Sequence, residues 1–270
     1  MDRHEVAAVA STSEYLNRQQ AKRLPARHRI SYATTAGAVG RAMARKKTYG
    51  EKIADHIAAV VQARNIEHIL HFTLLENLPG ILRNGLLSRA ILQDADYDVF
   101  ASDVDRLDGE DGAISMSISC FYPKMFDAKR YRSGNAPWVI LAFDPSLLWT
   151  HHCLFYRNGA STNATKYEHG KRYGGFALER LFDDCSMMMD PRGTGFREAH
   201  GLPTGWPTFP DAEVQVMNPV HPDYLLGAWV ETPEIGDHVR KAFNASGRDQ
   251  CDVVVQPFVP RICSKPYWWG

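Results

Sequence analysis

Apolar residues recur at helical spacing from Glu51 to Arg64, where Ile53, Ile57, Val60 and Val61 share one face of an amphipathic helix. His68 to Thr73 is short and apolar and predicts a first strand. Glu76 to Asn84 then reads as a helix, with Gly85 placed to end it in the left-handed conformation. Ala113 to Cys120 alternates strictly: Ile114, Met116, Ile118 and Cys120 point one way, Ser115, Ser117 and Ser119 the other. That period of two predicts a strand with one buried face and one small, polar face turned to a cleft. Trp138 to Phe143 is continuously apolar and predicts a central strand closed by Asp144-Pro145. Phe176 to Phe182 suits a short helix, and Glu213 to Met217 and Tyr224 to Val230 read as two more strands. Thr232-Pro233 combines a side-chain cap with a proline at the first helical position, so a helix starts there and runs to about Asn244. Asp252 to Gln256 predicts a final strand, and the stretches 94–111 and 186–212, rich in turn residues and without periodicity, predict loops. Strands in the middle and helices on the flanks give an α+β class.

The chain has 270 residues, enough for a substantial core, and its apolar and charged fractions are those of an ordinary globular protein. No apolar run approaches the roughly 18–20 residues of a membrane helix, and Met1 to Glu5 leads into no apolar signal region. The five cysteines contain no C-x-x-C pair and read as buried or free thiols of a reducing compartment, so a cytoplasmic location is expected. The zero net charge hides an asymmetry: up to Arg64 there are 12 Lys/Arg against 5 Asp/Glu, about +7, and the remainder carries the balance. The clusters Lys22, Arg23, Arg27, Arg29 and Arg41, Arg45, Lys46, Lys47 read either as phosphate contacts or as a solvated arm. The expected organisation is a basic extension over 1–50, a core over 51–232, and a C-terminal helix, strand and tail over 233–270 that pack on the core.

Phosphate-binding glycine loops, nucleophile elbows and H-E-x-x-H are missing. His151, His152 and His169 lack a recognisable ligand spacing, and no metal is expected. What remains sits at strand edges. Taken alone, His71 reads as a hydrogen-bonded structural residue and Glu213 as a solvated strand-end carboxylate.

Five blocks in order change that reading. They are His71-Phe72-Thr73 with Asn77-Leu78-Pro79, Ile81-Leu82 and Gly85 to Arg89; Ser102-Asp103 with Arg106 to Gly109; Ile114 to Ser119 with Lys124-Met125-Phe126; Trp138 to Leu141 with Asp144-Pro145, Trp149 and Cys153-Leu154-Phe155; and Asp211 to Val216. Over about residues 66–230 the chain resembles the DarT family of ADP-ribosyltransferase toxins, which modify bases in single-stranded DNA. The second block and Lys124-Met125-Phe126 are similar to the guanine-modifying branch more than to the thymine-modifying one. Relatives of that branch carry F-P-N-Y-K-M-F, whereas here Phe121-Tyr122-Pro123-Lys124-Met125-Phe126 displaces the proline and lacks the asparagine.

The resemblance implies an ADP-ribosyltransferase-like fold, a central split β-sheet with flanking helices, and NAD as co-substrate. It implies that Glu213 holds the ribose 2′-hydroxyl and stabilises the oxocarbenium-like charge formed as nicotinamide leaves. It places His71 on the adenosine-side ribose, Thr73 on the nicotinamide amide or neighbouring backbone, Arg89 on the pyrophosphate, and Asn77 in the same cofactor site. Ser117 and Ser119 are expected at the nicotinamide ribose. Lys124 is expected at the acceptor base, orienting it or taking its proton, with a phosphate contact as the alternative. The expected partners are single-stranded DNA, with RNA or protein as alternative acceptors, and a macrodomain antitoxin. A non-catalytic nucleic-acid-binding module is the competing class.

Overall fold

The computed structural model describes residues 46–94, 111–134, 136–160, 172–184 and 195–258. The basic clusters before Lys46, the block Ser102 to Gly109, His169, Cys185, Cys263 and Trp268-Trp269 lie outside the described residues.

Seven strands form one mixed sheet in the order β4-β5-β2-β1-β3-β6-β7. They are β1 (Ile69–Leu74), β2 (Ile114–Ile118), β3 (Trp138–Phe143), β4 (Cys153–Tyr156), β5 (Glu213–Val216), β6 (Leu225–Val230) and β7 (Asp252–Val255). Every pairing is antiparallel except β6 with β7, which are parallel and joined by the helix Pro233–Ala245. With helices on its flanks this is the expected α+β class.

Helix α1 (Tyr49–Arg64) starts two residues before the apolar pattern does, because its cap lies at Thr48. The Thr48 hydroxyl accepts from Glu51 N at 3.2 Å while Glu51 accepts from Thr48 N at 2.7 Å, a reciprocal capping box. Asn65, left-handed at φ 53°, ψ 50°, ends it. Ile57, Val60 and Val61 bury the inner face against the main core, which Ile69, Val139, Leu141, Val214 and Val216 form from the sheet. Helix α8 (Pro233–Ala245) follows the predicted cap at Thr232, whose hydroxyl accepts from Ile235 N, and buries Val239 and Phe243 in the same core.

The opposite face of the sheet carries a second, aromatic cluster of Phe121, Phe126, Trp138 and Phe258, with Phe72 and Trp229 against it. Phe126 comes from α4 (Pro123–Arg132), a helix that periodicity did not show.

Several local expectations are corrected. The helix expected over 76–84 is a 3₁₀ turn, Leu75–Asn77, followed by α2 (Leu78–Asn84), with Pro79 in the first turn. Gly85 has φ 84° but ψ −177°, which is not the left-handed helical conformation. Its lack of a side chain instead allows close approach, since a Cβ there would stand 2.3 Å from Val220 O. Strand β2 stops at Ile118, and Ser119, at φ 58°, turns the chain away, so Ser119 and Cys120 do not continue the alternation. Among the described residues there are also the short helices α3 (Arg89–Asp94), α5 (Leu147–Thr150), α6 (Gly175–Glu179) and α7 (Phe196–Ala199), and α7 lies within a stretch expected to be loop. Cys153 and Cys251 are buried free thiols, whose pKa burial pushes up to about 12 and about 11.

Candidate active site

The sheet splits at its centre. β1 pairs with β3 along its whole length, from Ile69↔Phe143 to Leu74↔Trp138. Its pairing with β2 covers only Ile69↔Ile118 and Leu70↔Ser117. Beyond that point β2 turns to β5, through Met116↔Val214, Ser115↔Gln215 and Ile114↔Val216. The edge of β1 from His71 onward therefore faces an opening instead of a strand.

His71 spans that opening. Its Nδ1 lies 3.0 Å from the main-chain oxygen of Ser115. A carbonyl only accepts, so Nδ1 carries the proton. Burial pushes the imidazole below its ordinary value, reinforced by the charge of Lys129 and opposed by the Ser115 bond. A neutral ring with Nδ1 protonated leaves Nε2 as an acceptor, the chemistry needed to receive a sugar hydroxyl. Thr73, two residues on and buried, accepts from Asn77 Nδ2 at 2.9 Å, so the strand and the 3₁₀ turn are tied at the mouth of the split.

On the other side of β2, Glu213 opens β5 and pairs with Tyr156. Its Oε2 accepts from Ala160 N at 2.8 Å, which fixes the orientation of the carboxylate and leaves its second oxygen for another partner. Continuing the β2–β5 register by one residue brings Glu213 level with Ser117. Glu213, Gln215, Ser115 and Ser117 thus share one face of the sheet. Gln215 is fully buried there, and its Oε1 accepts from the Tyr156 hydroxyl at 2.9 Å.

Asp211 belongs to the same grip. One of its oxygens accepts from Asn158 Nδ2 and the other from Gly159 N, each at 3.3 Å. Three consecutive residues, 158 to 160, are thereby held by two carboxylates two positions apart, Asp211 and Glu213. Burial pushes Asp211 above the usual carboxylate range, and the bonds from Gly159 and Asn158 act against it. The loop that delivers this segment is clamped by Arg197, which donates to Trp206 O at 2.7 Å, Pro203 O at 3.0 Å and the Thr208 hydroxyl at 3.1 Å. Tyr156, Gln215, Asp211, residues 158–160 and Arg197 were not singled out as site residues from sequence. Asp211 and Gln215 flank Glu213 in its block, which was the available signal.

The remaining candidates are placed as follows. Ser117 is buried on the Glu213 face of β2, whereas Ser119 has left the strand and donates its N–H to His68 O at 3.1 Å. Arg89 begins α3, which is tied to the turn before β2 by Ala90 N donating to Asp111 O at 3.0 Å. Lys124 is exposed in the first turn of α4. His71 and Thr73 thus lie on the edge of β1 at the split, Asn77 in the turn after it, and Ser117 and Glu213 on β2 and β5 beyond it, with Arg89 and Lys124 on the helices on either side of β2 in sequence. Among the described residues no group of three or more His, Cys, Asp or Glu side chains could hold a metal ion, and no helix is long and apolar enough to cross a membrane.

A family model described as "ssDNA thymidine ADP-ribosyltransferase, DarT" matches residues 70–261, which include β1 with His71, β2, α4 and β5 with Glu213. The chain belongs to the DarT family. It is thus a member of a family of ADP-ribosyltransferases that use NAD and act on single-stranded DNA. Among solved structures, it is similar to Thermus sp. 2.9 DarT in complex with NAD+, at 16% identity over 70% of this chain and 95% of that chain, with a TM-score of 0.47. It is also similar to the same DarT in complex with ADP-ribosylated ssDNA (16% identity, 71% and 95% covered, TM-score 0.43). Thermosipho africanus DarTG in complex with ADP-ribose matches at 13% identity and TM-score 0.44; the match covers 70% of this chain and spans half the length of that one. A comparison with curated protein sequences gives no match.

Proposed function

We propose that this DarT-family chain transfers ADP-ribose from NAD to a base of single-stranded DNA, guanine in preference to thymine, and that Glu213 is its catalytic carboxylate. The observation that carries the assignment is the placement of Glu213. It stands beside the split, with one oxygen already committed to Ala160 N and on the same face as Ser117 and Gln215. In the reaction the bond between nicotinamide and ribose breaks, its electron pair leaving on nicotinamide. An atom of the base then bonds the ribose anomeric carbon and gives up a proton. A carboxylate held in place stabilises the positive charge that develops on the ribose, without reorganising at the moment of reaction.

The other roles rest on the family resemblance. His71, neutral and accepting at Nε2, receives a hydroxyl of the adenosine-side ribose, and Thr73 with Asn77 closes the mouth around the nicotinamide amide. Arg89 pairs with the pyrophosphate, Ser117 contacts the nicotinamide ribose, and Lys124 orients the base or an adjacent phosphate. With its side chain off the strand, Ser119 is the weakest member of this set. Support for guanine is the Lys124-Met125-Phe126 block, here the first turn of a helix. The family model itself is described for thymidine. A toxin activity countered by a macrodomain antitoxin rests on the family resemblance.

The test is incubation with labelled NAD and single-stranded DNA, RNA or protein in parallel, followed by digestion and mass spectrometry of the nucleosides. The expected product is ADP-ribosylated deoxyguanosine. Modified thymidine would overturn the base preference and modified RNA or protein the acceptor. An absence of label and of nicotinamide release would favour a binding module.

A further inference from the structure

Apart from Lys124, the outward face of α4 has no part in the chemistry above. One side of the helix is anchored. Phe126 is fully buried in the aromatic cluster, Lys129 Nζ lies 5.8 Å from the centre of the Phe72 ring, and Arg130 is paired with Glu231 and lies over Phe126 and Phe258. At 100° per residue, the side opposite Phe126 presents Lys124, Ala128, Tyr131 and Arg132. All four are exposed, and Tyr131, at 89%, is the most exposed large apolar side chain among the described residues. The only acid on the helix, Asp127, stands 3.9 Å from Arg130, so the face is positive overall.

We propose that this face of α4 is a platform for the acceptor strand, on which Tyr131 stacks with a base flanking the modified one while Arg132 and Lys124 hold phosphates. The inference rests on single-stranded DNA being the acceptor. Three observations carry it. The helix follows β2 after only four residues and lies against Phe72, the neighbour of His71, so it borders the split. Lys124 and Tyr131 are seven residues apart, about 10 Å along a helix, or about three steps of stacked DNA at about 3.4 Å each. An aromatic ring between cations is the combination that holds unstacked bases without reading their sequence, and a polyanion is the partner that complements the charge. Tyr131 makes no use of its ring within the cluster that fixes the rest of α4.

The experiment measures binding of the full chain to a fluorescent single-stranded oligonucleotide by anisotropy across a salt series. Tyr131→Ala is expected to weaken binding about tenfold, and Tyr131→Phe to stay within about twofold of the parent, because stacking needs the ring and not the hydroxyl. Arg132→Ala is expected to reduce the slope of log affinity against log salt by about 0.7. All three substitutions are at the surface, and an unchanged Tm checks that the variants fold. A Tyr131→Ala chain that binds like the parent, with an unaltered salt slope in Arg132→Ala, would overturn the platform while leaving the acceptor assignment standing. A parent chain that binds no single-stranded DNA would overturn both.

Discussion

The two halves of the split sheet are built differently. β1, β3, β6 and β7 form a long apolar half in which β1 and β3 stay in register for six residue pairs, and Val139 and Leu141 are fully buried. β2, β5 and β4 form a short half whose strands have four or five residues and interleave Ser115, Ser117, Glu213, Gln215 and Tyr156 with core residues. Each half uses its composition. Apolar pairs with no polar group to satisfy suit a scaffold. Polar side chains on a buried strand require partners, and here the partners also orient one another: Tyr156 on Gln215, Ala160 on Glu213, Ser115 on His71. The separation teaches that stability is concentrated in one half and most polar chemistry in the other, with His71 and Thr73 reaching the opening from the edge of the scaffold, so much of each can be disturbed independently.

The sharpest way to break that division is Glu213→Ala. Transfer is expected to fall at least about 10³-fold, since a group that stabilises transition-state charge is lost outright. NAD binding, followed by titration calorimetry, is expected to persist. Tm is expected to move little, because Glu213 is half-buried and begins its strand. Retained transfer in the purified variant would remove Glu213 from the chemistry.

The converse is Leu141→Ala in the scaffold half. Leu141 is fully buried opposite His71 on β3. Its truncation is expected to cost about 3 kcal/mol in a denaturant titration, from lost burial and the cavity left behind. Turnover per folded molecule at low temperature is expected to stay near that of the parent. A large loss of kcat without a shift of the denaturant midpoint would show that the halves are not separable.

What could be read from the sequence divides along similar lines. Helices α1 and α8 announced themselves, one by its apolar spacing and the other by Thr232-Pro233, because caps and periodicity are local. β3 and the alternation of β2 were visible for the same reason. Strand β4 was not, since Cys153–Tyr156 is four residues long and carries no alternation distinct from its surroundings. Helix α4 was missed because Pro123 and Phe126 are its only buried residues, so no apolar stripe runs along it. Family blocks brought His71 and Glu213 together, but not the reason for their geometry. That reason is long-range: Ala160 reaches Glu213, and Ser115 reaches His71, across 53 and 44 positions of chain. No local pattern encodes a change of partner by β2 midway along its length.

The smallest expected effect concerns the residue that bridges the two halves. Burial holds His71 below the ordinary imidazole value of about 6.5, so the folded protein leaves it neutral where the unfolded chain has begun to protonate it. A depressed pKa contributes stability that is present above the unfolded value and is lost as pH falls through the folded one. Stability should therefore decline below about pH 6.5, with at most about 1.4 kcal/mol per pH unit from this one group. His68 and His151 are also lowered by burial and add to the slope, so the parent alone does not isolate His71. His71→Gln does: its amide can donate to Ser115 O, and it does not titrate. The slope between pH 6.5 and 5 is expected to be shallower in His71→Gln than in the parent. The parent's affinity for NAD is expected to fall over the same interval, because protonation removes the acceptor at Nε2. Identical stability profiles for the two proteins would mean that the bridge across the split is not a buried, neutral imidazole.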